Sequence, residues 1–166
     1  MPKLKDYLVF FSKAILLGIL SFIFFWIFIN PYNISFKISE VAINTYALNT
    51  FVAWTFFSAF LLIRSDEEWK KTDETVREHN FKKFSIEAPK KIAASVKLIY
   101  LTICILVITS YYLFHFESVI PAFVIIFGTS FIIVLTKNTL WDLDNPLHGL
   151  INVPNIPKEW IKKIER

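Results

Sequence analysis

Apolar positions gather along this chain into four long runs, separated by polar stretches of very different length. Residues 7–29, 41–63, 98–116 and 119–135 contain no Asp or Glu, and Lys13 is the one Lys or Arg inside them. A helix needs roughly 20 residues, and no fewer than roughly 17, to cross the hydrocarbon of a bilayer. All four runs meet that length, the last one narrowly. The pattern therefore predicts an all-α integral membrane protein with four transmembrane helices in a single domain spanning residues 1–166. The first run follows Lys3 and Lys5, as the core of a signal peptide would. It is too long for one, and the large residues of "FFWIFINPY" stand where a small-residue cleavage site belongs, so it reads as a retained span.

The connections sharpen this plan. "NPYNISFKISE" opens on Asn-Pro, a turn initiator that ends the first helix, and its sequon-like "NIS" reads as part of a short polar turn. "HFES" is so short that spans three and four form a tight antiparallel hairpin, with Pro121 in the first turn of span four, where its missing N–H does no harm. Between spans two and three, "RSDEEWKKTDETVREHNFKKFSIEAPKK" predicts a water-exposed helix over about 65–86 that continues span two. Ser65 and Glu68 form a capping-box pattern, Asp66/Lys70 and Glu67/Lys71 are attractive i,i+4 pairs, and Glu74/Glu78 is repulsive. Its apolar stripe is thin (Trp69, Val76, Phe81, Phe84), which suits packing on the tail or on copies of itself. In the tail, 137–166, Pro146, Pro154 and Pro157 forbid a long helix and favour turns. A short helix, "KEWIKKIER", follows, and its Trp160, Ile161 and Ile164 side is expected to lie on the membrane surface.

Composition agrees with the membrane class: 55% of residues are hydrophobic and the mean hydropathy is +0.50, too apolar for a soluble fold of 166 residues. Charge placement then sets the orientation. Seventeen of the eighteen Lys and Arg lie before or at the start of span one, between spans two and three, or after span four; Lys37 alone lies on the other side. Basic residues in short loops stay in the cytoplasm, so both termini and the middle segment are expected there, in a cell inner membrane. Cys104 is the single cysteine and lies inside span three, which excludes a disulfide framework and a cysteine metal site.

Enzymatic signatures do not emerge. There is no Gly-rich phosphate loop, no nucleophile elbow and no His pair at metal-binding spacing; His79, His115 and His148 stand apart, and no span interior offers a haem ligand. No catalytic residue, metal or cofactor is expected, and nothing suggests nucleic acid as a partner. "DLDN" brings Asp142 and Asp144 close, which could hold a hard cation or cap a turn opened by Asn-Pro and closed by Gly149. Span two is the most polar of the four. At 100° per residue, Asn44, Leu48, Phe51, Thr55, Ser58 and Leu62 fall within about 80° of arc, polar at the outer end, apolar in the middle and hydroxylated beyond. Such a stripe lines a pore gated by a hydrophobic constriction. The same Asn, Thr and Ser groups could equally hydrogen-bond neighbouring helices. Four helices cannot enclose a hydrated path alone, so a pore requires a homo-oligomer.

The tail carries a resemblance. "LWDLDNPLHGLINV" resembles the signature of the bestrophin-like family of four-span membrane proteins of bacteria and plants: Leu-Asp, a variable residue, Pro-Phe, a variable residue, Gly, then a hydrophobic run ending in Val. Leu143, Asp144, Pro146, Gly149 and Val153 match, and Leu147 stands in place of the Phe. "LLIRSDEEW", with Arg64 and Trp69, is similar to the Arg- and Trp-containing sequence that follows span two in bestrophins. The resemblance implies a homo-oligomeric ion channel with span two at its axis, ions and membrane lipid being its partners. The other reading is a non-conducting interaction protein, such as an immunity or defence component that binds a partner in the bilayer. On either reading Asp142, Asp144, Pro146 and Gly149 are expected to act as a structural clasp that holds the tail against the bundle or a neighbouring subunit.

Overall fold

The computed structural model describes residues 4–33, 40–88, 92–145, 153 and 156–164, and these contain helices and no strand. Helix α1 (Leu4–Phe24) passes through a π turn (Phe25–Ile29) into α2 (Asn30–Asn33). Helix α3 (Glu40–Arg77) is followed by α4 (Phe81–Glu87) and α5 (Ala94–Tyr111). Helix α6 (Val119–Ala122) leads through a second π turn (Phe123–Phe127) into α7 (Gly128–Leu143), and α8 (Lys158–Ile164) lies in the tail. Four of these stretches are long and apolar enough to cross a membrane: Leu8–Ile29, Ile43–Arg77, Ala94–Tyr111 and Val119–Leu143. At 1.5 Å per residue, the 38 residues of α3 reach about 57 Å, nearly twice the hydrocarbon thickness of a bilayer.

Small residues decide how α1 meets α7. Ala14 and Phe25 are fully buried, and Gly18 and Ser21 complete the face at spacings of four, three and four. A β-carbon on Gly18 would stand 2.8 Å from Phe127 Cδ2 and 3.3 Å from the Phe127 carbonyl oxygen, so glycine is what lets the helices approach. Phe127 has no room to retreat, because its ring stacks between Phe123 at 4.8 Å and Phe131 at 5.9 Å. Next along the seam, Ser21 Oγ lies 2.8 Å from Ser130 Oγ and 2.6 Å from the Tyr112 hydroxyl, so three helices share one hydroxyl cluster.

Helix α3 packs chiefly on α5, and its contact with α7 joins the two pairs. Their common core holds Trp54 and Leu61 of α3, Tyr100, Cys104 and Val107 of α5, and Ile133 and Leu140 of α7. Much of the outer surface is Leu, Ile, Val and Phe, including Phe56 at 73% exposure and Ile120 at 74%. Apolar surface on that scale is tolerable only against lipid or another protein.

Two expectations about helix ends are corrected. Asn-Pro does not end the first helix: the chain remains helical through Asn33, because the π turn absorbs Pro31. Proline has no N–H and its ring crowds the carbonyl four residues back. The widened turn, in which the Asn30 N–H donates to the Phe25 carbonyl, shifts the register there. The expected helix over 65–86 is broken at His79, which adopts φ 52°. His79 and Asn80 donate their N–H groups to the carbonyls of Val76 and Thr75 at 3.1 Å each, the paired bonds of a Schellman end. Asn80 Oδ1 then accepts from the Lys83 N–H at 3.1 Å and starts α4.

The tail helix does not turn its Trp160 side to a membrane surface. Trp160 and Ile164 pack with Trp69, Val76, Phe81, Phe84, Ala88, Val153 and Ile156 in a second core. The Trp160 ring lies 5.1 Å from Phe84 and 5.4 Å from Phe81, and Lys163 Nζ sits 5.2 Å above Phe81. The stripe of the middle segment is thin because only a seven-residue helix has to cover it.

Candidate membrane-embedded site

The span-two residues divide between two surfaces. Asn44, Leu48 and Thr55 are exposed on the outside of the chain, Leu48 at 62%. Phe51 is 38% exposed and its ring lies 5.7 Å from that of Trp54. Ser58, by contrast, is buried between α3 and α5 with its Oγ 3.5 Å from the Tyr100 hydroxyl, so it faces the protomer core rather than the stripe's outer surface. The roughly 60° between Thr55 and Ser58 includes the edge of the α5 contact, and a wheel drawn for one helix does not locate that edge.

Hydroxyls in α3 are mostly spent locally. Thr55 Oγ1 donates to the Phe51 carbonyl at 2.9 Å, and Thr50 Oγ1 lies within 3.2 Å of Ser110 Oγ besides two carbonyls of its own helix. The carboxamides behave differently: Asn44 and Asn49 are exposed, and no hydrogen bond within the described residues engages either side chain. Two further polar atoms, Trp54 Nε1 and Ser65 Oγ, are buried without a partner among the described residues.

Beside Phe51 a lateral groove of about 480 Å³ opens between α3 and α7. Phe51, Trp54 and Tyr111 form one wall; Val124, Gly128, Thr129 and Ile132 are among the residues of the other. Gly128 has no atom of a neighbouring element within 4 Å of where a β-carbon would stand, so the groove is open beside it. Sequence reading assigned no role to Gly128, and its place in an apolar span gave no sign that the space beside it was unfilled.

At the charged end the aspartates of the tail motif are resolved into separate roles. Asp144 is 5% exposed; its Oδ1 accepts the Ile92 N–H at 2.5 Å and its Oδ2 pairs with Lys97 Nζ at 2.5 Å. Both oxygens of Asp144 are therefore occupied by donors from the start of α5. Asp142 is half-buried at the end of α7 and also has a partner. Pro146 and Gly149, the other two residues of the predicted clasp, lie outside the described residues.

A corresponding clamp at the hairpin end was not anticipated from the sequence. Asn30 is 7% exposed, and its carboxamide donates to the Phe116 carbonyl at 3.0 Å and accepts the Phe116 N–H at 2.9 Å. His115 Nδ1 lies 3.3 Å from the Asn30 carbonyl oxygen. An Asn before Pro signals a turn, and that signal hid the two-point hydrogen bond.

These features define, among the described residues, an all-helical, membrane-compatible bundle with two exposed carboxamides on α3, Asn44 and Asn49, and a lateral groove beside that helix. No protein-family model matches the chain, and neither curated proteins nor solved structures give a significant match. The functional reading therefore stands on the residues themselves.

Proposed function

We propose that the chain is one subunit of a homo-oligomeric, bestrophin-like ion channel whose α3 helices surround the conducting axis. The observation that carries this reading is Asn44, an exposed carboxamide with no hydrogen-bond partner among the described residues, at the head of the stripe formed by Leu48, Phe51 and Thr55; Asn49, also exposed, lies about 140° round the helix and is not assigned to the path. A carboxamide facing lipid forfeits its hydrogen bonds, whereas one facing water or a neighbouring subunit keeps them. Leu48 and Phe51 follow Asn44 on the exposed side and form the apolar constriction, with Thr55 beyond it. Ser58 belongs to the protomer core and is not assigned to the path. The one-sided distribution of Lys and Arg supports cytoplasmic termini and an inner-membrane location.

Ion flux into liposomes containing the purified chain tests the proposal. The wild type is expected to pass ions, and Leu48→Ala with Phe51→Ala to raise the leak, since a narrower apolar girdle dewets more readily. Absence of flux in both forms, with the protein inserted, sinks the channel reading. A monomer by native mass measurement would instead favour the non-conducting interaction protein, with the groove beside Phe51 as the surface a partner in the bilayer would meet.

A further inference from the structure

One aromatic ring at the charged end carries two cations, and only one of them is paired with a carboxylate. Lys97 Nζ lies 5.6 Å from the Trp141 ring centroid and Lys137 Nζ lies 5.8 Å from it. Asp144 neutralises Lys97 at 2.5 Å. Lys137 has no ion-pair partner among the described residues, and its half-buried side chain stands one turn before Trp141 on α7. The cradle thus keeps one uncompensated positive charge.

Its place along the helix makes that charge informative. Lys137 lies two residues past the uncharged run 119–135 and about 9 Å before the end of α7 at Leu143, at the charged end of a stretch long and apolar enough to cross a bilayer. A Lys and a Trp together at the end of such a helix mark the level where acyl chains give way to headgroups. Ile133 and Leu140, one turn to either side, belong to the core shared with α3 and α5 and hold α7 in place beneath the two ammonium groups. A lipid phosphate is held at that level by its own acyl chains, whereas a free anion must be drawn there from bulk water.

We propose that Lys137, with Trp141 and Lys97, binds the phosphate of an anionic phospholipid in the leaflet at the charged end. The site is independent of conduction: it would exist in a channel subunit and in a non-conducting protein alike.

Native mass spectrometry of the full chain in detergent, titrated separately with phosphatidylglycerol and phosphatidylcholine, tests this. The wild type retains phosphatidylglycerol in preference to phosphatidylcholine; equal retention of the two overturns the proposal without requiring any variant to fold. Lys137→Gln weakens phosphatidylglycerol retention by about fivefold, the effect of one basic residue at a membrane surface, and Lys137→Arg restores it. Lys71→Gln with Lys82→Gln, both on exposed positions elsewhere, leaves retention unchanged. Retention by Lys137→Gln equal to the wild type, or an equal loss in the control variant, overturns the site. Displacement of the lipid by millimolar inorganic phosphate assigns the cradle to free anions and overturns the lipid claim.

Discussion

Asp144 Oδ2 and Lys97 Nζ lie 2.5 Å apart and tie the end of α7 to the first turn of α5. Asp144 is nearly inaccessible (3% of its side chain) and Lys97 is 26% exposed, so the pair sits where solvent screens it weakly. At the other end, the Asn30–Phe116 contact ties α2 to the loop that follows α5, so α7 and α2 are each fastened at one end of α5.

Removing one partner of the Asp144–Lys97 pair is more damaging than removing both. Asp144→Ala strands the Lys97 ammonium and the Ile92 N–H, and should destabilise the folded chain by about 3 kcal/mol. Lys97→Met added to Asp144→Ala should recover a good part of that loss. Denaturation in a detergent titration, followed by helix content, measures both; additive losses would show that the pair does not act as a unit.

Gly18 sets the distance between α1 and α7. Gly18→Ala places a β-carbon against a ring held between two others and against a backbone oxygen, and is expected to cost about 1–3 kcal/mol. Phe127→Leu in the same chain relieves the contact, so the double variant should lose less than the sum of the two. If Gly18→Ala unfolds at the wild-type denaturant concentration, the helices do not pack this closely in the membrane.

Asn30 offers a residue-level readout. Asn30→Leu leaves the Phe116 N–H and carbonyl without partners and should cost about 1–3 kcal/mol. Hydrogen exchange at the Phe116 amide should accelerate in the variant while amides in the middle of α5 stay protected. Unchanged exchange at Phe116 would mean that the hairpin holds its shape without Asn30.

The four spans were legible in the sequence because length and apolarity are one-dimensional properties, and each reached the bilayer requirement on its own residues. What lay hidden depends on pairs of elements. Ser58 and Thr55 are three residues apart, yet one meets Tyr100 and the other faces outward, which only the placement of α5 decides. Trp160 carried an amphipathic signal, but an apolar face does not specify whether lipid or Phe84 will cover it. Asp144 was visible as a candidate hydrogen-bond acceptor, whereas its donors lie 52 and 47 residues earlier in the chain. The break at His79 left one trace, Asn80 as a helix-starting residue, but the position that turns the chain holds neither Gly nor Pro.

That position supplies a stabilising variant. A non-glycine residue in the left-handed region carries a steric cost of about 1–2 kcal/mol, and His79 sits there at φ 52° to close α3. His79 is exposed, so its replacement disturbs no core contact. His79→Gly should therefore stabilise the α3–α4 junction by about 1 kcal/mol, and His79→Val, β-branched at positive φ, should destabilise it. Because Phe81 and Phe84 hold α8 through Trp160, the effect should also appear as slower proteolysis of the tail in His79→Gly and faster proteolysis in His79→Val. The reverse order would show that α3 does not end in a left-handed turn at this residue.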